Sequence, residues 1–170
     1  MIPRMDRVFT RYRDASAEYT VGTETAGQTM TKSFGNDLCR PVPWLESFTV
    51  GDAVIDAEHR AMIDGCNEFC RLAARGAEAA EVAAVLRALA ADFAEHAASE
   101  EALFPLIRFP GRDRHAAEHR RLRARMTDMI AHAPFAPDLP AQAAGLRALM
   151  VEHVLRYDLA LKTWIEESRR

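Results

Sequence analysis

The chain lacks most of what would tie it to a membrane, a disulfide framework or a nucleic acid. No window approaches 18 uncharged apolar residues, the length a spanning helix needs, and Met1-Ile-Pro-Arg-Met-Asp-Arg has no apolar core of the kind a secretory signal carries. Cysteine is scarce: Cys39, Cys66 and Cys70 are odd in number and form no C-x-x-C pair. That argues against a disulfide scaffold and a thiolate zinc site, and points to reduced thiols in a cytoplasmic setting. A net charge of -3 gives no overall attraction to nucleic acid or to anionic lipid, so neither is an expected partner. The one arginine-rich run, Arg108 to Arg125, also holds Asp113 and Glu118 and reads as the solvated face of a helix.

What is present suits a single domain. A length of 170 residues with 49% hydrophobic content can bury a substantial core and leaves room for an appendage. Residues 1–43 read as that appendage, a flexible N-terminal extension. They carry Arg4, Arg7, Arg11 and Arg13, then a Thr/Gly-rich stretch from Thr20 to Thr31 without helical period, and Met30 is an alternative start. Residues 44–170 read as an all-α domain of four helices. The first is expected over about Asp52 to Ala74, ending near Gly76, and the second over about Glu78 to Phe104, stopped by Pro105. The third starts at Gly111 or Asp113 and ends by Pro134; the fourth opens at Pro137-Asp-Leu-Pro140 with Asp138 as its N-cap. Short connections between long helices predict an antiparallel up-down-up-down four-helix bundle.

Polar residues interrupt the apolar stripe of every helix. His59 lies in line with Ile55, Met62, Ile63, Cys66 and Cys70. His96 and Glu100 occupy core positions between Val82, Val85, Leu89 and Phe93 on one side and Leu103 and Ile107 on the other. His115 and His119 share a face with Leu122, Met126, Met129 and Ile130. His153 follows Leu146, Leu149 and Met150 and precedes Tyr157, Trp164 and, five residues on, Asp158. Each residue alone suits an ordinary hydrogen-bonded core histidine or a surface charge. Together, five imidazoles and two carboxylates in one small core would leave many polar groups stranded, at roughly 1–3 kcal/mol each. Metal coordination removes that cost. His132 falls off the stripe of its helix and is expected in solvent.

Counting bonds suggests two ions. His115, His119 and His153 can grip one, His59 and His96 the other, with Glu100 and Asp158 bridging. With one solvent-derived oxygen also shared, the three-histidine ion reaches six ligands and the two-histidine ion five, which leaves one open position for a small diatomic. Nitrogen and oxygen ligands without thiolate suit iron, manganese or zinc alike. On an α-helix Asp158 lies about 140° round from His153, so it is expected to approach the centre from the side.

At these residues the chain resembles the bacterial hemerythrins: Trp44, Val50-Gly-Asp-Ala-Val-Ile-Asp56-Ala-Glu-His59, His96-x-x-x-Glu100-Glu101-x-Leu103, Pro110 before His115-x-x-x-His119, and His153 with Asp158. The resemblance spans about residues 43 to 168, and it fills all seven ligand positions. It implies a non-haem di-iron centre, oxo- or hydroxo-bridged, binding O2 reversibly at the iron held by His59 and His96. Two positions depart from the family's usual pattern. Met150 stands where Trp-Leu commonly precedes the last histidine segment and would face the gas with an oxidisable thioether. Ala97 replaces a frequent aromatic and is expected to open a path to solvent.

Two functions compete. The first is an oxygen carrier, store or sensor, with O2 or NO as ligand and Met62, Ile63, Phe93 and Met150 lining the pocket. It is expected to be no enzyme. The second is a di-iron enzyme, an oxidase, peroxidase, or nitric-oxide-handling or iron-supplying protein, with Tyr157 and Cys66 near enough to the ligand stripes to deliver protons or electrons. A purely structural bundle without metal ranks last.

Overall fold

The computed structural model describes residues 39–168. The sequence expectations for residues 1–38, including a start at Met30, lie outside them. The described residues fall within one compact unit. It is all-helical, in the order α1 (Ala53–Ala74), α2 (Ala79–Leu106), α3 (Arg112–His132) and α4 (Leu139–His153), with α4 continued through a π turn, Val154–Asp158, into α5 (Leu159–Ser168). The chain turns back after each long helix, α1 packs on α2 and α4, and α2 packs on α3. This is the four-helix bundle expected from the sequence, with α4 and α5 forming its fourth rod.

Local chemistry sets the boundaries. Asp52 caps α1 with its carboxylate, accepting hydrogen bonds from the Val54 and Ile55 amides at 2.9 and 3.2 Å. At the other end Ala77 N donates to Leu72 O and Gly76 N to Ala73 O, the double bond of a Schellman turn, and Gly76 takes the left-handed φ of 66°. The end of α2 repeats this motif. Phe109 N donates to Phe104 O and Arg108 N to Pro105 O, and the Phe104 and Phe109 rings meet at 5.4 Å. Here the left-handed position is held by Arg108, at φ 52°.

Several boundaries differ from the sequence expectation. Pro105 does not stop α2, which runs to Leu106. A proline in the last turn forfeits only one intrahelical bond, and the Schellman turn supplies the stop three residues later. Asp138 precedes α4 but makes no side-chain cap; its carboxylate instead accepts from Gln142 Nε2 at 3.1 Å. The buried face of α2 runs Val82, Leu86, Leu89, Phe93, His96, Ala97, Glu100 and Phe104, while Val85, Leu103 and Ile107 are half-buried at its margin. Leu149 and Ile130 are marginal in the same way.

One apolar cluster fills the bundle beside the polar residues, with Met62, Phe69, Leu86, Leu89, Phe93, Leu122, Met126, Leu146 and Met150 among its members. A smaller one, Phe104, Phe109 and Leu161, closes the opposite end. A third joins Phe48, Ile63, Val151 and Val154. Residues 39–43 are tied to the bundle: Val42 and Asn67 exchange two hydrogen bonds of 2.9 Å, and Arg147 donates to Arg40 O. No helix among the described residues is long and apolar enough to cross a membrane.

Candidate metal centre

Between the apolar clusters the four rods deliver His59 from α1, His96 and Glu100 from α2, His115 and His119 from α3, His153 from α4 and Asp158 from the π turn. Each of the seven is buried. One turn separates the paired residues on α2 and on α3, so both members point the same way. His153 and Asp158 are five apart, which on an α-helix would divide them. The π turn corrects the expected sideways approach of Asp158: its i→i+5 hydrogen bonding, Leu159 N to Val154 O, stacks residues five apart on one face.

All five imidazoles present Nε2 to the two carboxylates. His115 Nε2 lies 2.9 Å from Asp158 Oδ1 and 3.0 Å from Glu100 Oε2; His153 Nε2 is 3.2 Å from Asp158 Oδ1, and His119 Nε2 is 3.3 Å from Glu100 Oε2. On the other side His59 Nε2 stands 3.1 Å from Asp158 Oδ2, and His96 Nε2 is 3.6 Å from Glu100 Oε2 and 3.8 Å from Asp158 Oδ2. Asp158 therefore divides its oxygens, Oδ1 to His115 and His153 and Oδ2 to His59 and His96. Glu100 offers the single atom Oε2 to His96, His115 and His119.

None of these facing atoms makes a hydrogen bond of acceptable geometry, although all are buried. Buried nitrogen and oxygen donors without hydrogen-bond partners, spaced about 3 Å apart, are what a bound cation would satisfy. Bonds of about 2.1 Å at right angles set neighbouring donor atoms about 3.0 Å apart. Three overlapping groups of four donors lie within 4.8 Å of one another: His59, His96, Glu100 and Asp158; Glu100, His115, His153 and Asp158; and His96, Glu100, His119 and His153. The donor set fits a metal.

The rear ring nitrogens are supported unequally. His59 Nδ1 donates to the Phe48 carbonyl at 2.8 Å, which leaves Nε2 as the lone-pair atom. The loop carrying that carbonyl is itself pinned, by Lys162 Nζ donating to Thr49 O at 2.9 Å and by Val50 N donating to the buried Asp56 carboxylate at 2.7 Å. His119 Nδ1 meets Glu101 Oε1 at 2.9 Å, and His96 Nδ1 faces Glu58 Oε2 at 3.6 Å. The sequence alone assigns no role to Glu58 or Glu101. Each lies on a half-buried edge, and the only signal was a carboxylate adjacent in sequence to a candidate ligand.

Electrostatics follow from packing so many polar groups into a dry core. Burial favours neutral His153 and drives its pKa down to about 4, against the pull of Asp158. For His115 burial acts in the same direction, but the close oxygens of Asp158 and Glu100 outweigh it and raise the imidazole to about 9. Burial alone would raise Asp158, yet the surrounding imidazoles hold it well below the ordinary carboxylate range.

Aromatic rings close the cluster on two sides. Phe93 lies 6.1, 5.7 and 5.7 Å from the His96, His119 and His153 rings, and it shares its apolar cluster with Met62 and Met150. Ile63, expected beside them, packs with Phe48, Val151 and Val154 instead. Tyr157 stands 5.6 Å from His115 and 5.7 Å from His153. Ala97 is fully buried, so no path to solvent opens at its position. His132 is exposed, with its side chain at 75% accessibility, and pairs with Asp128.

A bundle core carrying these donors defines a helical metal-binding protein. A sequence model of the hemerythrin HHE cation binding domain matches residues 50–165, and the chain belongs to that family. Among curated proteins no match to the chain was found.

Proposed function

We propose that the chain binds two iron ions and carries, stores or senses O2 at one of them. The observation that carries this reading is the division of Asp158: one oxygen serves His115 and His153, the other His59 and His96. A carboxylate shared in this way suits two adjacent cations better than one. The donors are unequal, three histidines on one side and two on the other, which leaves the His59/His96 side short of a ligand. Iron is the metal that would supply electrons to a bound diatomic, which imidazole and carboxylate alone do not. The chain's own residues do the rest. They fix the donors and exclude bulk water with Phe93, Met62 and Met150.

The test is iron per chain, with the visible spectrum of the reduced protein before and after exposure to air. About two irons and an oxygen-dependent band that disappears on degassing support reversible binding. Nitric oxide competes in the same experiment as an alternative ligand. A di-iron oxidase or peroxidase is the second reading, favoured by the Tyr157 ring against two of the imidazoles. Steady turnover with NADH or peroxide would select it. Cys66 lends that reading no support, because burial pushes its thiol well above the ordinary value and suppresses the thiolate. The three cysteines are free and buried, in keeping with a cytoplasmic setting.

A further inference from the structure

The rear nitrogens of His96 and His119 both face carboxylates, and the two carboxylates differ in what stands behind them. Glu101 Oε1 accepts from His119 Nδ1 at 2.9 Å and has the Arg123 guanidinium 3.7 Å from the same oxygen. Glu58 pairs with no Lys or Arg among the described residues. Its Oε1 accepts from the Ser99 hydroxyl at 2.6 Å, and its Oε2 points at His96 Nδ1 from 3.6 Å. That separation exceeds a hydrogen bond, yet both atoms are buried and neither has another partner. A shift of roughly 0.7 Å joins them. Ser99 stands one turn beyond His96 on α2 and holds the α1 carboxylate in line with the ring.

We infer that Glu58 is a positioning residue for His96, and that by supporting this imidazole it lowers the reduction midpoint of an iron-loaded site and speeds its oxidation by air. The inference rests on the di-iron reading above. A carboxylate that accepts the Nδ1 proton fixes the tautomer and raises the basicity of Nε2. The guanidinium beside Glu101 draws part of that effect away from His119, whereas a neutral hydroxyl leaves it with His96. His59, the other imidazole on this side, has only a backbone carbonyl behind it. Once joined to Nδ1, Glu58 is thus a carboxylate support with no guanidinium behind it, placed on the side that has two histidines.

The experiment compares the full iron-loaded chain with Glu58→Gln and Glu101→Gln, measuring iron per chain, reduction midpoint, and the half-time of air oxidation after reduction. Both variants keep the wild-type iron content. Glu58→Gln raises the midpoint and slows air oxidation by about tenfold; Glu101→Gln moves both less. In metal-free chain labelled with nitrogen-15, the His96 ring reports the Nδ1–H tautomer in the wild type and a mixture in Glu58→Gln. A Glu58→Gln chain with wild-type midpoint and half-time overturns the inference, as does a Glu101→Gln effect of equal size. Loss of iron from Glu58→Gln also overturns it, by making Glu58 a requirement for binding. A wild-type chain that takes up no iron overturns the proposed function and this inference together.

Discussion

Asp158 follows His153 by five residues, yet its Oδ1 stands 3.2 Å from His153 Nε2, because the helix between them is wound as a π turn. The fourth rod thereby contributes two donors to one cluster, and Asp158 reaches both of its sides. Removing either residue leaves buried partners that nothing else satisfies.

His153→Ala is expected to reduce bound iron and to lower the melting temperature of the iron-supplemented protein. Linkage at a free-ion concentration a hundredfold above Kd is worth about 2.7 kcal/mol, or roughly 5–10 °C for a domain of this size. Calorimetry with and without chelator measures it. Equal melting temperatures for wild type and variant, each with iron, would mean that the cluster holds no stabilising metal.

The metal-free chain should be most stable near pH 6.5. His115 has its folded pKa raised from 6.5 to about 9, so its contribution is complete below pH 6.5 and is lost as pH climbs towards 9. His153 has its folded pKa lowered from 6.5 to about 4, so its neutral form stabilises above pH 6.5 and that contribution is lost as pH falls towards 4. Each amounts to roughly 3 kcal/mol at most. Protonation of Asp158 adds to the loss on the acid side. Melting temperatures of chelated protein from pH 4 to 9 trace the curve, and a monotonic trend would contradict it.

Arg108→Gly should stabilise the bundle by about 0.5–1 kcal/mol, since glycine adopts the left-handed turn without the clash a side chain suffers. Gly76→Ala, at the matching turn after α1, should destabilise by about 1 kcal/mol. Urea midpoints of the two variants are expected on opposite sides of the wild type.

Met150→Leu is close to volume-conserving and should change stability by less than about 1.5 kcal/mol. Its thioether lies in the apolar cluster with Phe93 and Met62, and Phe93 packs against the His96, His119 and His153 rings. After repeated reduction and air exposure, mass spectrometry of the wild type is expected to find sulfoxide at Met150, and the variant should survive more cycles. Absence of that modification removes the thioether as a cause of ageing.

The helices and their inward donors are legible because periodicity reports burial directly: six of the seven donors lie on apolar stripes and are buried, and His132, off its stripe, is solvent-exposed. What escaped had no periodic signature. A π turn is one residue of local winding, invisible to a stripe drawn at α-helical pitch, and such a stripe puts Asp158 at the side. Proline is the visible stop signal in the sequence of α2, whereas the actual stop is Arg108 in a glycine's conformation. Glu58 and Glu101 face neither core nor solvent fully, and only the approach of a second helix gives them a partner. Ile63 lies on the predicted face of α1 but meets the fourth rod and Phe48, a neighbour set by three-dimensional packing alone.

Phe93 touches imidazoles from three different rods, His96, His119 and His153. In evolutionary terms that makes it a pleiotropic position. A substitution there alters at once the space above the site and the packing of rings on both of its sides, so access and electronic character are inherited together through one codon. Met62 and Met150, unbranched and adaptable, can each be exchanged without disturbing a ring stack, which makes them the places where related chains would diversify first.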